Sequence, residues 1–340
     1  MRKTALAGAF VALSMLVTAA CGGGGSSASG PTTSAPASKA PEFPTKPITL
    51  IIPYAAGGPT DAVGRAIARY WEEKLGWKVI PENKPGAGAA VGMRDMTKSQ
   101  PDGHTLAITG SNAAVVTPIV VKDAGYDEKD FVNVGAITEF PYLIAAGKKS
   151  GIKTPEEFFA KVKAQPGGIS LAAPSGTGQI SVDMQRFEQH GAKIKIVPFN
   201  GNSEAIAAML GGNVDGIIQV ASKDTLVQID AGEAIPIAVL SAKRATYLPD
   251  VPTVVELGFT GMDAGTSYFA VGAPAGTPSE VLTVLEDALK EALKDPTTRE
   301  QIGEQFIPEA FIGSQELTKL FAAQRDYYAP AIQQLVNSTK

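Results

Sequence analysis

Two stretches of the chain combine glycine, threonine and a following helix in a way suited to holding an anion. The first is I-T-L-I-I-P-Y-A-A-G-G-P-T-D (Ile48 to Asp61), leading into A-V-G-R-A-I-A-R-Y-W-E-E-K-L-G. The second is I-S-L-A-A-P-S-G-T-G-Q (Ile169 to Gln179), leading into I-S-V-D-M-Q-R-F-E-Q-H-G. Each reads as a short apolar strand, a turn and an amphipathic helix stopped by glycine. Such a unit aims unpaired backbone N–H groups and the positive end of a helix dipole at one point, so it binds anions without a charged side chain. Two of them facing each other would form a clamp. Asp61 has two readings: an acid stabilised at a helix start, or one that also accepts hydrogen bonds from a ligand ammonium or hydroxyl. Ser111 and Asn112 follow the TLAIT run, at the strand end where open α/β sheets bind ligands, and both loop capping and ligand contact remain open for them.

Other chemistries find less support. The run Gly86-Ala-Gly88-Ala-Ala-Val-Gly92 resembles a dinucleotide fingerprint, but it has one residue too many before its last glycine and lacks the acid expected further on. Neither His104 nor His190 has a second histidine, a cysteine or a carboxylate cluster at ligand spacing, so no metal site is expected. The G-x-S-x-G elbow of serine hydrolases is absent. No cofactor is implied.

At 340 residues, 44% hydrophobic and 7% aromatic, the chain is long enough for two domains of ordinary size. The first twenty residues include Arg2 and Lys3 and no acid; without them, 28 basic residues face 34 acidic ones, a net charge of −6. That argues against a nucleic-acid partner, which calls for a basic face, but not against an anionic ligand, because oriented amides supply positive potential locally.

The N-terminus reads as an address: Arg2 and Lys3, apolar residues from Ala5 to Val17, then T-A-A-C ending at Cys21, the only cysteine. The small residues before Cys21 resemble a bacterial lipobox, in which that cysteine is diacylated, although Thr18 stands where such boxes more often carry Leu. An ordinary cleaved signal and a retained anchor are the alternatives. Residues 21–44, rich in Gly, Ser, Pro and Ala, read as a flexible tether that would hold the folded body outside the cytoplasm near a membrane.

From Ile48 onward, apolar runs (ITLIIPY, KVIPEN, TLAIT, NVGAIT, YLIAA) alternate with helical patterns, which predicts a parallel sheet covered by helices. In the first helix Val63, Ile67, Tyr70, Trp71 and Leu75 recur at core spacing and Gly76 supplies the stop. A second set follows: a helix with Glu156 and Glu157 in its first turn, the strand ISLAAP, the second cradle helix, the strand IKIVPF, a helix capped by Ser203, and the strands GIIQVAS and IPIAVLSA. YFAVGAP and a helix from Ser279 to about Lys294 return to the earlier style. The simplest arrangement has two α/β lobes joined by two crossings: 45–146 plus 266–340 as lobe 1 and 147–265 as lobe 2, after a lipoprotein signal peptide at 1–20.

The mature chain resembles the extracytoplasmic solute receptors of tripartite tricarboxylate transporters, the Bug-type receptors. The resemblance rests on the order and spacing of K-P-I-T-L-I-I-P-Y-A-A-G-G-P-T-D, E-N-K-P-G-A-G, P-D-G-H-T-L, Y-D-E-K-D-F, P-S-G-T-G, V-P-F-N-G, M-L-G-G-N-V-D, D-V-P-T-V-V-E-L-G and A-P-A-G-T-P. It implies a two-lobed periplasmic-binding-protein fold of type II that closes on a hinge, captures a small carboxylate, presents it to membrane permease subunits, and acts as a monomer and not as an enzyme. The carboxylate grip implied by the resemblance falls on Tyr54, Gly57, Gly58, Thr60 and Asp61 in the first cradle and on Ser175, Gly176, Thr177 and Gly178 in the second. Gln179 and Ile180 depart from the His or Ser of many relatives, and V-P-F-N-G replaces V-P-Y-K-G. Asn200 in place of Lys removes a cation, which points to a ligand less charged than a tricarboxylate. Asn200, Gly201 and Gln219 are expected to complete the cleft and set ligand identity. An enzyme on a similar scaffold and a ligand-sensing surface receptor are the alternative functions.

Overall fold

The structure, a computed structural model, describes residues 42–174, 178–199, 201–262 and 264–338. The segment carrying Cys21, most of the expected tether, Ser175, Gly176, Thr177 and Asn200 therefore lie outside the described residues. The end of the expected tether packs on the folded body: the Phe43 ring packs on Trp77 and His104, and just beyond it the Thr45 N–H donates to His104 Nε2 at 3.1 Å. His104 thus has a structural task, anchoring the start of the folded body.

The chain begins with β1 (Ile48–Ile52), α1 (Pro59–Leu75), β2 (Val79–Asn83), α2 (Ala90–Thr97), β3 (Thr105–Gly110) and the single-turn α3 (Thr117–Val120). The long β4 (Phe131–Gly147) leads into α4 (Pro155–Ala164), β5 (Ser170–Pro174), α5 (Gly178–Gln189), β6 (Lys195–Phe199) and α6 (Asn202–Gly211). Then come β7 (Gly216–Val220), α7 (Lys223–Asp230), β8 (Ala234–Val239), β9 (Thr266–Pro274), α8 (Ser279–Ala292), α9 (Pro296–Ile302) and α10 (Ser314–Ser338).

Two sheets share one strand. In the first, β1 lies between β2 and β3 with both pairings parallel, and β9 joins β3 to the front half of β4 by antiparallel pairing. In the second, the rear half of β4 pairs antiparallel with β7 and β8, while β5 lies parallel between β7 and β6. The sheets are therefore mixed, where strand–helix alternation alone predicted parallel ones. The change of partner falls at Pro141, whose pairing with Thr266 is the last with β9, and Tyr142 opens the pairing with Val220 of β7. Proline has no N–H to give a ladder, so it fits where one ladder stops and the next begins. NVGAIT and YLIAA, expected as separate strands, are the two ends of this one strand.

Each sheet has its own apolar core. Ile48, Leu50, Val63, Ile67, Trp71 and Leu106 cluster on the first; Ile144, Phe158, Leu171, Phe187 and Ile218 cluster on the second. Of the five apolar positions expected to face the core from α1, Val63, Ile67 and Trp71 are buried, Tyr70 is half-buried and Leu75 is exposed, because Leu75 occupies the last turn before the left-handed Gly76 stop.

Candidate functional site

A cleft of about 250 Å³ lies where the strand ends of the two sheets meet. Its first wall is Tyr54, Ala55, Ala56, Gly58, Pro59 and Thr60, on the turn that joins β1 to α1. Gly58 occupies the N-cap in an extended conformation and has no side chain with which to cap the helix; the first backbone bond of α1 runs from Ala62 N–H to Gly58 O at 3.0 Å. Pro59 lacks an N–H, so the next amides of the first turn, on Thr60 and Asp61, are the ones a helix start leaves for an outside acceptor.

Asp61 builds this turn from behind. Its carboxylate accepts from the Gly57 N–H at 3.0 Å, Arg65 Nε at 2.8 Å and Asn83 Nδ2 at 2.9 Å, and Asn83 Nδ2 also donates to Tyr54 O. Burial by itself would raise the Asp61 carboxyl, but the Gly57 amide, the Asn83 amide and the Arg65 guanidinium together hold it below the ordinary carboxylate range. Gly57 sits at φ +86°, a conformation that side chains resist, and this lets its amide turn back to Asp61. Gly57 and Asp61 are thus placed off the cleft wall, with the carboxylate engaged by the chain itself.

The floor comes from the end of β3: Thr109, Gly110, Ser111 and Asn112, with Ser267 and Phe269 of β9 beside them. Ser111 Oγ accepts the Tyr268 N–H at 3.0 Å, and Thr109 Oγ1 donates to Asn133 Oδ1 at 3.0 Å. Asn112 Nδ2 reaches Tyr54 Oη at 3.2 Å and Gly88 O at 3.4 Å, whereas its Oδ1 has no hydrogen-bond partner. Burial raises the Tyr54 phenol above its ordinary value, with the Asn112 contact opposing it, so Tyr54 stays a neutral hydroxyl. The glycine run Gly86 to Gly92 forms a tight turn into α2, and its Gly88 carbonyl accepts from Thr117 and Asn112.

The opposite wall is Gly201, Asn202, Ser203 and Glu204 at the start of α6, together with Pro174, Tyr142 and Val220 from the second sheet. Gly201, not Ser203, is the N-cap; Ser203 lies within the first turn and lines the cleft. Asn202 is buried and its Nδ2 has no partner. The second helix start described at the cleft is therefore that of α6. Of the expected second cradle, Pro174 reaches the cleft, while Gly178 serves packing: a Cβ there would stand 2.7 Å from Val116 Cγ1, so glycine permits close packing of α5 on the helical turn after β3. Gln179 is fully buried and donates to Tyr328 Oη at 2.8 Å, and Gln219 is fully buried and donates to Thr225 Oγ1 at 2.8 Å; neither lines the cleft.

Of the expected site residues, the structure brings Tyr54, Gly58, Thr60, Ser111, Asn112 and Gly201 together. It adds Thr109, Tyr142, Asn202, Ser203, Glu204 and Ser267, which sequence reading did not single out. Asn202 and Ser203 had a legible signal, since glycine followed by polar residues at a helix start leaves amides free. Tyr142 and Ser267 had none, because their position depends on where β4 passes from one sheet to the other and on how β9 pairs with it there. Among the described residues no cluster of His, Cys, Asp or Glu is placed to hold a metal, and no helix is long and apolar enough to cross a membrane.

Residues 63–336 match the family model described as the tripartite tricarboxylate transporter family receptor. An Agrobacterium vitis protein encoded in the TAR-I ttuE-ttuC' intergenic region is 35% identical over 76% of this chain and 75% of its own length. The periplasmic binding protein BugD superposes with a TM-score of 0.76 at 29% identity, over 86% of this chain and 98% of that one. A protein of R. palustris solved with adipate gives 0.77 at 26% identity, over 86% and 99%. Fold and motifs agree with the resemblance read from the sequence: this chain belongs to the solute-binding receptors of the tripartite tricarboxylate transporter family.

Proposed function

We propose that this receptor captures a small carboxylate in the cleft between its two sheets and presents it to membrane permease subunits, releasing it unchanged and not acting as an enzyme. The observation that carries this reading is the pair of glycine-capped helix starts, Gly58 on α1 and Gly201 on α6, on opposite walls of one cleft, neither with a side-chain cap. Helix starts of this kind favour carboxylates through free amides and the helix dipole. The adipate complex of the R. palustris relative supports the same class of ligand. Thr60, Ser111, Asn112, Asn202 and Ser203 would complete the grip, with 175–177 adding the second cradle that the family resemblance implies. In this reading 45–146 plus 266–340 and 147–265 are the lobes, and they close on the crossing at Pro141 and Thr266 when a ligand bridges them. Residues 1–20 would direct export, and acylated Cys21 would hold the monomeric body at the outer face of a membrane.

A thermal-shift screen of the full chain against mono-, di- and tricarboxylates, amino acids, phosphate and NAD tests this. A ligand at about a hundred times its dissociation constant adds about 2.7 kcal/mol of stability. The reading expects shifts confined to carboxylate-bearing compounds; shifts with NAD or phosphate alone would overturn it.

A further inference from the structure

The turn from Gly86 to Ala89 that leads into α2 is strained. Ala87 and Ala89 stand at φ +47° and +86°, on either side of Gly88 at +63°, in the left-handed region that alanine disfavours. Strain of this kind persists where the surrounding structure must hold a group at one point. Here that group is the Gly88 carbonyl, which accepts from Thr117 Oγ1 and, at 3.4 Å, from Asn112 Nδ2.

These bonds fix which way the buried Asn112 amide faces. Gly88 O can only accept, and Thr117 Oγ1, itself 3.4 Å from Asn112 Nδ2, gives its own hydrogen to Gly88 O. A reversed amide would set Oδ1 against two groups with no hydrogen to offer. Nδ2 is therefore the atom that meets Tyr54 Oη, at 3.2 Å. Burial keeps the Tyr54 phenol neutral, so its oxygen accepts from Asn112 while its own hydrogen is left for another partner. Among the described residues no acceptor takes that hydrogen, and Tyr54 lines the cleft.

We propose that Asn112 is a positioning residue that acts on the ligand through Tyr54: by occupying the phenol oxygen, it holds the phenol hydrogen toward the cleft, where it donates to a carboxylate. The inference rests on the carboxylate reading above. The cleft wall has no Lys, Arg or His among the described residues, so a directed O–H adds positive potential that no side-chain cation there provides. A donor fixed in advance does this at no cost of reorientation, whereas a hydroxyl free to turn, or turned to another acceptor, does it less well.

Titration calorimetry on the full chain tests this with the monoacids butanoate to hexanoate and the diacids succinate to adipate, the tightest binder being carried into the variants. The quantity read is the affinity lost on Tyr54→Phe in different backgrounds at position 112. That loss is expected to be about tenfold in the unaltered chain, about threefold with Asn112→Leu, which frees the hydroxyl to turn, and less than about twofold with Asn112→Asp, whose carboxylate takes the phenol hydrogen. A merely structural or charge effect at position 112 acts equally with tyrosine or phenylalanine at position 54, so it cancels within each background. Melting midpoints without ligand show which chains fold; should Asn112→Asp not fold, Asn112→Leu decides. A loss under about twofold on Tyr54→Phe in the unaltered chain, or the same loss in every folded background, would overturn the inference and leave the carboxylate reading standing. Silence from all the acids would overturn the carboxylate reading itself and this inference with it.

Discussion

The Asp61 carboxylate receives hydrogen bonds from Gly57, Arg65 and Asn83 and so shapes the first wall from behind. Thr60, its neighbour in the same helical turn, lines the cleft. The two residues should respond differently to substitution. Thr60→Val keeps the shape and removes one hydroxyl, and a lost hydrogen bond to a charged ligand lowers affinity roughly tenfold or somewhat more; calorimetry on the best ligand checks it. Asp61→Ala releases the Gly57 turn and should also lower affinity by about tenfold, and unlike Thr60→Val it should lower the melting midpoint without ligand, because a buried set of charge-assisted bonds is lost. The sequence made the first cradle legible through its glycines and helix start. It left both readings of Asp61 open, and what separates them is Asn83, a residue on a neighbouring strand that no local pattern pairs with position 61. Ser203 shows the same limit from the other side: serine is a good cap by type, but Gly201 reaches the cap position first.

At the level of elements, α5 and α10 form a polar joint that periodicity did not reveal. Gln179 donates to Tyr328 Oη, Tyr328 Oη donates to Ala264 O, and the Arg186 guanidinium lies 3.5 Å from the centre of the Tyr327 ring and donates to Tyr327 O. Tyr328→Phe leaves the fully buried Gln179 amide without that partner and should destabilise the chain by about 1–3 kcal/mol, read as a lower melting midpoint. In the same joint the Asp183 carboxyl is buried with Oδ2 unpartnered, and burial pushes it up to about 8, with Arg186 opposing. The folded chain then holds a proton that the unfolded chain releases above an ordinary carboxylate pKa of about 4. Stability should therefore fall as pH rises from about 4 to about 8, and Asp183→Asn should flatten that slope and raise the midpoint at neutral pH. Melting curves at stepped pH for both proteins check it. Most strands and the helices up to Lys294 were legible from alternation and glycine stops. The exceptions have physical causes: β4 looks like two strands because Pro141 interrupts its pattern, and α10 buries polar groups such as Gln324 alongside apolar ones, which blurs an amphipathic signature.

At the scale of the whole molecule, the site belongs to neither sheet alone. One wall comes from the helix start after β1 and the other from the helix start after β6, and the shared β4 contributes Tyr142 where its pairing changes sheet. A ligand that bridges the walls favours the arrangement in which both are in reach, so small-angle scattering should give a smaller radius of gyration with the bound carboxylate than without it. An unchanged radius would separate capture from closure. The central claim is that amides at both helix starts hold the ligand, and Gly58→Asp and Gly201→Asp test it most directly. Both positions accept a side chain: Gly58 has an ordinary φ of −91° with its nearest atom 3.9 Å from a new Cβ, and Gly201 is extended with nothing within 4 Å. Aspartate is a favoured N-cap, so each variant should keep or slightly raise the melting midpoint of the free chain while its carboxylate takes the amides meant for the ligand. The measurement is the thermal shift given by the best carboxylate in the unaltered chain and in each variant. Loss of the shift in both, with free midpoints unchanged or higher, is the predicted result; a full shift retained in either variant would contradict the two-walled grip.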